Sequence, residues 1–373
     1  MRLTRAEIDL TALRHNFERI RTRVGSDVSI LGVVKANAYG HGSAEIGRTL
    51  ERCGCDYLGV AFLEEGIVLR EHGVSIPILV LGGLLGGQIQ DFLKYNLDVA
   101  ISSVGIAEQV HREVLSAGGK KARVHLKIDT GMERIGVRAE HAFDFVRRVC
   151  ELARLDAVGI FSHLATSDEH DKSFAHAQLQ KFRRLIEMVE GAGIRIPLKH
   201  IANSGAILDL PESYFSMVRP GMMLYGYYPS KATSESVALR PLLSLKSKVV
   251  YLKEVPGGRS VSYGRTFYTA AATTIATVPI GYGDGYSCRL SNRTEVLIGG
   301  RRYPAVGTIC MDHLMVDVGR DANIAIGDDV ILIGRDGKEA ITCWDLADRL
   351  GTIPYEVLTG INERVPRRYI NSP

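Results

Sequence analysis

Ile30-Leu31-Gly32-Val33-Val34-Lys35-Ala36-Asn37-Ala38-Tyr39-Gly40-His41-Gly42 holds an apolar run, a lysine and a polar turn in thirteen residues. A short β-branched run bounded by glycines predicts a buried strand over Ser29 to Val34. The next residues, Ser43-Ala44-Glu45-Ile46-Gly47-Arg48-Thr49-Leu50, predict a helix start with Ser43 as a candidate cap. Lys35 therefore stands at a strand-to-helix turn. An amine in partly desolvated surroundings has a lowered pKa and suits Schiff-base chemistry with an aldehyde. A lysine that merely snorkels at a strand end fits this segment equally well.

Outward from that unit the same texture repeats. Strands are expected at Ser29 to Val34, Tyr57 to Val60, Ile78 to Leu81, Asp98 to Ile101, Val124 to Ile128, Ala157 to Ser162, Lys199 to Ala202 and Phe215 to Val218. Helices are expected between them at Ser43 to Arg52, Gln88 to Tyr95, Val104 to Leu115, His141 to Leu152 and Gln178 to Glu190. Repeated strand-helix units imply parallel strands with right-handed crossovers. Eight of them favour an α/β fold of the closed (β/α)8 TIM barrel type over an open doubly wound sheet. No Gly-x-Gly-x-x-Gly follows the first strand, which weakens a dinucleotide-binding reading. Chemistry in such a barrel belongs at the C-terminal ends of strands, where Lys35, Leu81, Arg134, His163, Asn203-Ser204 and Arg219 are expected.

After about residue 236 the pattern changes. Ser244 to Lys253, Ala272 to Pro279, Thr294 to Ile298, Leu314 to Val318 and Val330 to Ile333 read as strands, separated by turn signals such as Pro256-Gly257-Gly258 and Asp336-Gly337. One short helix is expected over Ile341 to Leu350, with Thr342 as its cap. The chain is thus divided into residues 1–235, a barrel, and residues 236–373, a mostly β domain.

Composition limits the classes. The 373 residues are 46% hydrophobic and 24% charged with a net charge of +4, and the Lys and Arg residues are interspersed with acids. That gives no support to nucleic-acid binding. No apolar stretch approaches a membrane span, and the N-terminus lacks the apolar core of a signal peptide, so a cytoplasmic location is expected. The six cysteines form no Cys-x-x-Cys pair, so reduced thiols and no metal site are expected.

Asn203-Ser204-Gly205-Ala206 follows an expected strand and opens a short helix, where free N–H groups favour a phosphate. Gly221, after Arg219-Pro220, offers a second close backbone approach. A lysine with such a phosphate cup suggests pyridoxal phosphate, whose aldehyde needs an amine. An Arg against the pyridine nitrogen, here Arg219, cannot readily give up its proton, which weakens the electron sink and favours quick reprotonation.

These motifs, taken together, resemble the bacterial alanine racemases. The segment Val33 to Gly42 is similar to that family's cofactor-lysine motif. Lys127-Ile128-Asp129-Thr130-Gly131-Met132-Glu133-Arg134, Phe161-Ser162-His163-Leu164-Ala165, Ala202-Asn203-Ser204 and Val218-Arg219-Pro220-Gly221 match in order. So do Val261-Ser262-Tyr263-Gly264-Arg265-Thr266, Gly281-Tyr282-Gly283-Asp284-Gly285-Tyr286, Cys310-Met311-Asp312 and Tyr355-Glu356.

The resemblance implies a fold-type III pyridoxal phosphate enzyme working as a head-to-tail homodimer on alanine, and a role in supplying D-alanine for peptidoglycan. Racemisation needs two bases on opposite faces. By the resemblance these are Lys35, for the D enantiomer, and Tyr263, for the L enantiomer, with His163 and Arg219 as cationic neighbours of Tyr263. Tyr39, Ser204, Gly221, Met222 and Tyr355 would hold the phosphate, the glycine and Met222 through their N–H groups. Arg134 and the Met311 backbone would hold the substrate carboxylate, while Tyr263, Met311 and Asp312 would come from the partner subunit. Family members often carry a carbamylated lysine at the position of Lys127. Glu133 and Met222 depart from the commoner family residues, and Glu133 stands where it could perturb the charge around Arg134. His41 and His200 read as structural. A broad-specificity racemase, a non-catalytic pyridoxal phosphate-binding protein and a barrel decarboxylase are the rival readings. The β domain with Tyr263 argues against the second, and Arg219 against the third.

Overall fold

The apolar run at residues 29–34 forms the first of eight parallel strands in the computed structural model, which describes residues 2–84, 86–118, 120–320 and 323–371. The strands are Ser29–Val33, Tyr57–Val60, Ile78–Val80, Asp98–Ile101, Ala122–Asp129, Leu155–Phe161, Leu198–His200 and Met217–Val218, first to eighth. All lie within two residues of the expected bounds. Each pairs with its successor up to the seventh, and the eighth pairs with the first through Met217↔Ser29 and Val218↔Ile30. Ser216 N donates to Lys199 O at 3.3 Å and Arg219 N to Ala202 O at 2.9 Å, so the barrel is nearly closed. The second and fourth strands are buried along their whole length, as strands covered on both faces must be.

The fifth strand is the exception that prepares the site. Its alternate residues His125, Lys127 and Asp129 are 0%, 3% and 6% exposed. A two-residue period places all three on one face. Polar side chains therefore run along that strand in a barrel whose other strands are mainly apolar.

Helices form at the five expected places: Ser43–Arg52, Ile89–Lys94, Val104–Ala117, Ala142–Cys150 and Ser173–Gly191. Three more, Leu10–Val24, Leu63–Glu71 and Pro354–Gly360, lie outside the sequence expectations, which allowed one short helix after residue 236. Ser43 is not a cap. It is the first helical residue, its N–H donating to Asn37 Oδ1 at 2.8 Å, and Gly42 with φ +97° takes the cap position.

The chain divides into two units. One comprises Ala12–Ala38 and Gly42–Pro241; the other comprises the segments up to Thr11, Tyr39–His41 and from Leu242 onward. The division at 235/236 expected a single continuous second segment, whereas two short pieces from early in the chain also belong to that unit. Its main sheet runs Arg301–Pro304, Glu295–Ile298, Asp329–Asp336, Leu243–Lys248, Arg5–Asp9 and Arg367–Ile370. A three-stranded sheet joins Tyr251–Val255, Thr273–Val278 and Leu314–Gly319. The run expected as one strand over Ser244 to Lys253 is two strands, broken at Val249-Val250, that enter different sheets. Thr342 caps Cys343–Leu350 as expected. Asp345 N donates to Thr342 Oγ1 at 3.1 Å and Thr342 N to Asp345 Oδ2 at 2.7 Å, a reciprocal capping box. Among the described residues no helix is long and apolar enough to cross a membrane.

Candidate active site

Lys35 opens a turn with unusual backbone. Ala36, Asn37 and Ala38 have φ of +51°, +53° and +52° with ψ of +52°, +48° and +52°, and Tyr39 has φ +51°. Non-glycine residues in the left-handed region cost about 1–2 kcal/mol each. Such strain persists where the surroundings over-determine it, and functional sites are where it collects. Glu65 Oε1 accepts Ala36 N at 2.6 Å while its Oε2 accepts Ala61 N at 2.7 Å. Asn37 accepts Gly42 N at its carbonyl, 2.9 Å, and Ser43 N at its side chain. Sequence reasoning missed both residues; the acidic first turn Glu64-Glu65 after the second strand was the available signal.

Lys35 itself is partly buried. Desolvation pulls its pKa below the usual lysine range, the charges of Arg134 and Arg219 add to this, and Glu65 opposes it. That is the environment an imine-forming amine requires.

Arg219, after the eighth strand, is 4% exposed. Its Nη2 donates to Ser162 O at 2.7 Å and Ile201 O at 3.2 Å, and lies 3.2 Å from His163 Nδ1. Its Nη1 lies 3.0 Å from His200 Nδ1. Burial, and then Arg219 itself, drive both imidazoles well below the ordinary histidine range. Both rings are therefore neutral and accept from the guanidinium, so His163, expected as a cationic neighbour of Tyr263, carries no charge there. Burial and Arg134 bring Arg219 down to about 9, still a cation at neutral pH. His200, read from sequence as structural, touches the key arginine directly.

Ser204 and Gly221 meet, as the sequence expected of a cup: Gly221 N donates to Ser204 Oγ at 2.9 Å. Asn203 caps the helix Ser204–Asp209, its Oδ1 accepting Ala206 N at 3.1 Å and Ser167 Oγ at 2.7 Å. Met222 is fully buried. Lys127 Nζ donates to Ile128 O at 3.2 Å and sits 5.0 Å from the Phe161 ring centre. Desolvation and the Arg219 and Arg134 charges lower its amine to about 7 against the pull of Asp129. Arg134 is exposed, and its charge acts on Lys35, Lys127, His163 and Arg219. Glu133 pairs with Arg138 at 2.9 Å, so its carboxylate is engaged away from Arg134.

The remaining candidates belong to the second unit. Tyr39 and Tyr355 rings lie 5.9 Å apart at 51°. Tyr263 is 74% exposed and Met311 52% exposed, and Asp312 pairs with Arg364 at 2.6 Å.

The alanine racemase N-terminal domain family matches residues 8–229, and the alanine racemase C-terminal domain family matches residues 242–369. The chain is 45% identical to alanine racemase 2 of Caldanaerobacter subterraneus subsp. tengcongensis, over 99% of this chain and 95% of that protein. It is 44% identical to the alanine racemase of Halothermothrix orenii, over 99% of this chain and 97% of that one. The solved alanine racemase of Clostridium difficile 630 superimposes with a TM-score of 0.95 at 40% identity, covering 99% of this chain and 96% of the other. Likeness of this extent reaches both units and every motif quoted above, and the chain belongs to the alanine racemase family.

Proposed function

We propose that this protein interconverts L-alanine and D-alanine with pyridoxal phosphate as cofactor, supplying D-alanine for peptidoglycan in the cytoplasm. One observation carries the reading: a desolvated amine, Lys35, and a buried donor-only guanidinium, Arg219, follow neighbouring strands of one parallel barrel. The donor set fits the cofactor, with an amine for its aldehyde, Arg219 for its ring nitrogen, and Ser204 with the Gly221 and Met222 N–H groups for its phosphate. When bound, pyridoxal phosphate supplies a conjugated sink that acidifies the α-hydrogen of an amino acid joined to it. Arg219 keeps its own proton, so the sink stays weak and a proton returns to the same carbon in preference to loss of another group.

Lys35 Nζ holds the cofactor and, once the substrate amine has replaced it, moves the proton on the D face. Tyr263 Oη moves the proton on the L face. Its high exposure in a single chain supports delivery to a second copy in a homodimer, along with Met311 and Asp312. Tyr39 and Tyr355 contribute to phosphate binding, while Arg134 and the Met311 N–H orient the substrate carboxylate. A carbamate on Lys127 would turn a third cation near Arg134 into its counter-charge.

Chiral chromatography of L-alanine incubated with the cofactor-loaded protein tests this reading, run beside Tyr263→Phe. Racemisation is expected, with severe loss in the variant, most directly from the L side. A loaded wild type that racemises no alanine overturns the proposal. A panel of other L-amino acids in the same assay decides whether a broader specificity applies.

A further inference from the structure

Arg219 is the end of a longer row. Beyond His200, whose Nδ1 faces it, His200 Nε2 lies 3.0 Å from His125 Nδ1, and His125 Nε2 lies 3.4 Å from Asp98 Oδ2. Asp98 in turn accepts Arg123 Nε at 3.0 Å and Nη2 at 3.3 Å. His125 and His200 are fully buried and Asp98 is 2% exposed. The row runs from the start of the fourth strand, through the fifth and seventh, to the end of the eighth.

The two end groups fix every proton between them. A guanidinium has only donors and a carboxylate only acceptors. Arg219 must therefore donate to His200 Nδ1, which leaves the single proton of that neutral ring on Nε2. That proton points at His125 Nδ1, so the second ring also carries its proton on Nε2, toward Asp98. Among the described residues His125 Nε2 makes no hydrogen bond, and the Asp98 carboxylate, 3.4 Å away, meets it as an ion-pair contact. Reversing or protonating His200 would set an imidazole N–H against the guanidinium N–H.

Packing keeps the rings in this row. Gly159 of the sixth strand is in register with His125, and a Cβ there would overlap the imidazole. Phe161 stacks on His200 with centroids 4.9 Å apart and planes 3° from parallel, and Tyr57 meets His125 edge-on at 5.8 Å.

We propose that Asp98, His125 and His200 are positioning residues, a one-directional row of two hydrogen bonds closed by an ion-pair contact, which orients the Arg219 guanidinium and transmits the pull of a carboxylate to it. Its effect on cofactor binding rests on the reading of Arg219 as partner of the ring nitrogen; the tautomers belong to the protein alone.

Long-range proton–nitrogen NMR of the full chain labelled with 15N-histidine reads those tautomers. In the wild type, His125 and His200 should both show the neutral Nε2–H pattern, with and without pyridoxal phosphate. Asp98→Asn removes the charge while Arg219 still holds the direction of the row, so both rings should keep Nε2–H. The 15N shifts of His125 and His200 should move together, although residue 98 adjoins only the first. The Kd for pyridoxal phosphate, measured by absorbance titration, should rise about tenfold, equivalent to about 1.4 kcal/mol. Arg123→Gln removes the ion pair outside the row and should leave both tautomers unchanged. Nδ1–H or a cationic ring at either position in the wild type overturns the relay, and so does a His200 15N shift that does not move in D98N. The wild-type measurement decides even where D98N does not fold. Correct tautomers in a wild type that binds no pyridoxal phosphate would refute the cofactor reading and leave the relay standing.

Discussion

Lys127 should carry a carbamate, and its surroundings set the size of the effect. The side chain is 3% exposed, and burial with two arginines brings its amine to about 7 from an ordinary 10.5. Only a neutral amine attacks carbon dioxide. At pH 8 about 90% of Lys127 is neutral, against roughly 0.3% of an ordinary lysine, an enrichment of about 300-fold. The neutral amine forms an N–C bond to carbon dioxide and releases one proton, which replaces a buried neutral group with an anion near Arg134 and Arg219. Without it, the unfolded chain binds a proton at this site between pH 7 and 10.5 that the native chain does not. Stability would then rise with pH across that window, and burial of the cation would cost a few kcal/mol below it. Carbon NMR in 13C-bicarbonate, at constant dissolved carbon dioxide, provides the assay. One carbamate resonance per chain is expected in the wild type, growing from pH 6 to 8 and absent from Lys127→Ala. A wild type without the resonance at pH 8, or a resonance that survives in the variant, refutes the reasoning.

Three further outcomes are expected. Ser204→Ala strips the acceptor from the buried Gly221 N–H, at a cost of about 1–3 kcal/mol; the denaturation midpoint should fall and inorganic phosphate should compete less well for the site. Gly40 and Gly54 have φ of +81° and +83°, but a Cβ at Gly40 would overlap Leu358 O whereas Gly54 faces open space. Alanine at either should cost about 1–2 kcal/mol for the backbone, and only Gly40→Ala should lose markedly more in urea unfolding. Glu65→Gln sets an amide N–H against one of the backbone N–H groups it now satisfies, so the turn after Lys35 should loosen. Faster amide exchange at Ala36 is the readout, and unchanged exchange would count against Glu65 as its anchor.

The barrel was legible because its strands are apolar and β-branched between glycines, and the Thr342 cap because Asp345 stands three residues on. The helix Leu10–Val24 was missed although its signal was present, since Leu10, Leu13, Phe17, Ile20 and Val24 keep a helical period and are all buried. The turn after Lys35 was not legible, because Ala36 and Ala38 carry no signal for positive φ; bonds to Glu65, Asn37 and Val34 O hold the turn in place. His125 and His200 looked like core histidines one at a time. Their meeting depends on Gly159 leaving room on the strand between them, which no local pattern announces. The break at Val249-Val250 was hidden for a similar reason, since both halves are good strand sequence and only the choice of sheet differs.

The strand Arg5–Asp9 has a consequence for how the chain is made. Ala6 pairs with Leu245 on one side and with Arg367 on the other. During synthesis this strand has no partner until Leu243–Lys248 is out, and gains its second only with Arg367–Ile370. Ala6 and Ile8, fully covered in the finished fold, are exposed throughout that wait. Long-range pairing of this kind is slow and leaves intermediates open to association. It also ties the second unit to the start of the barrel segment: a fragment begun at residue 236 lacks a central strand of its own sheet, and the pairing around Ile8 is incomplete until Arg367–Ile370 is made.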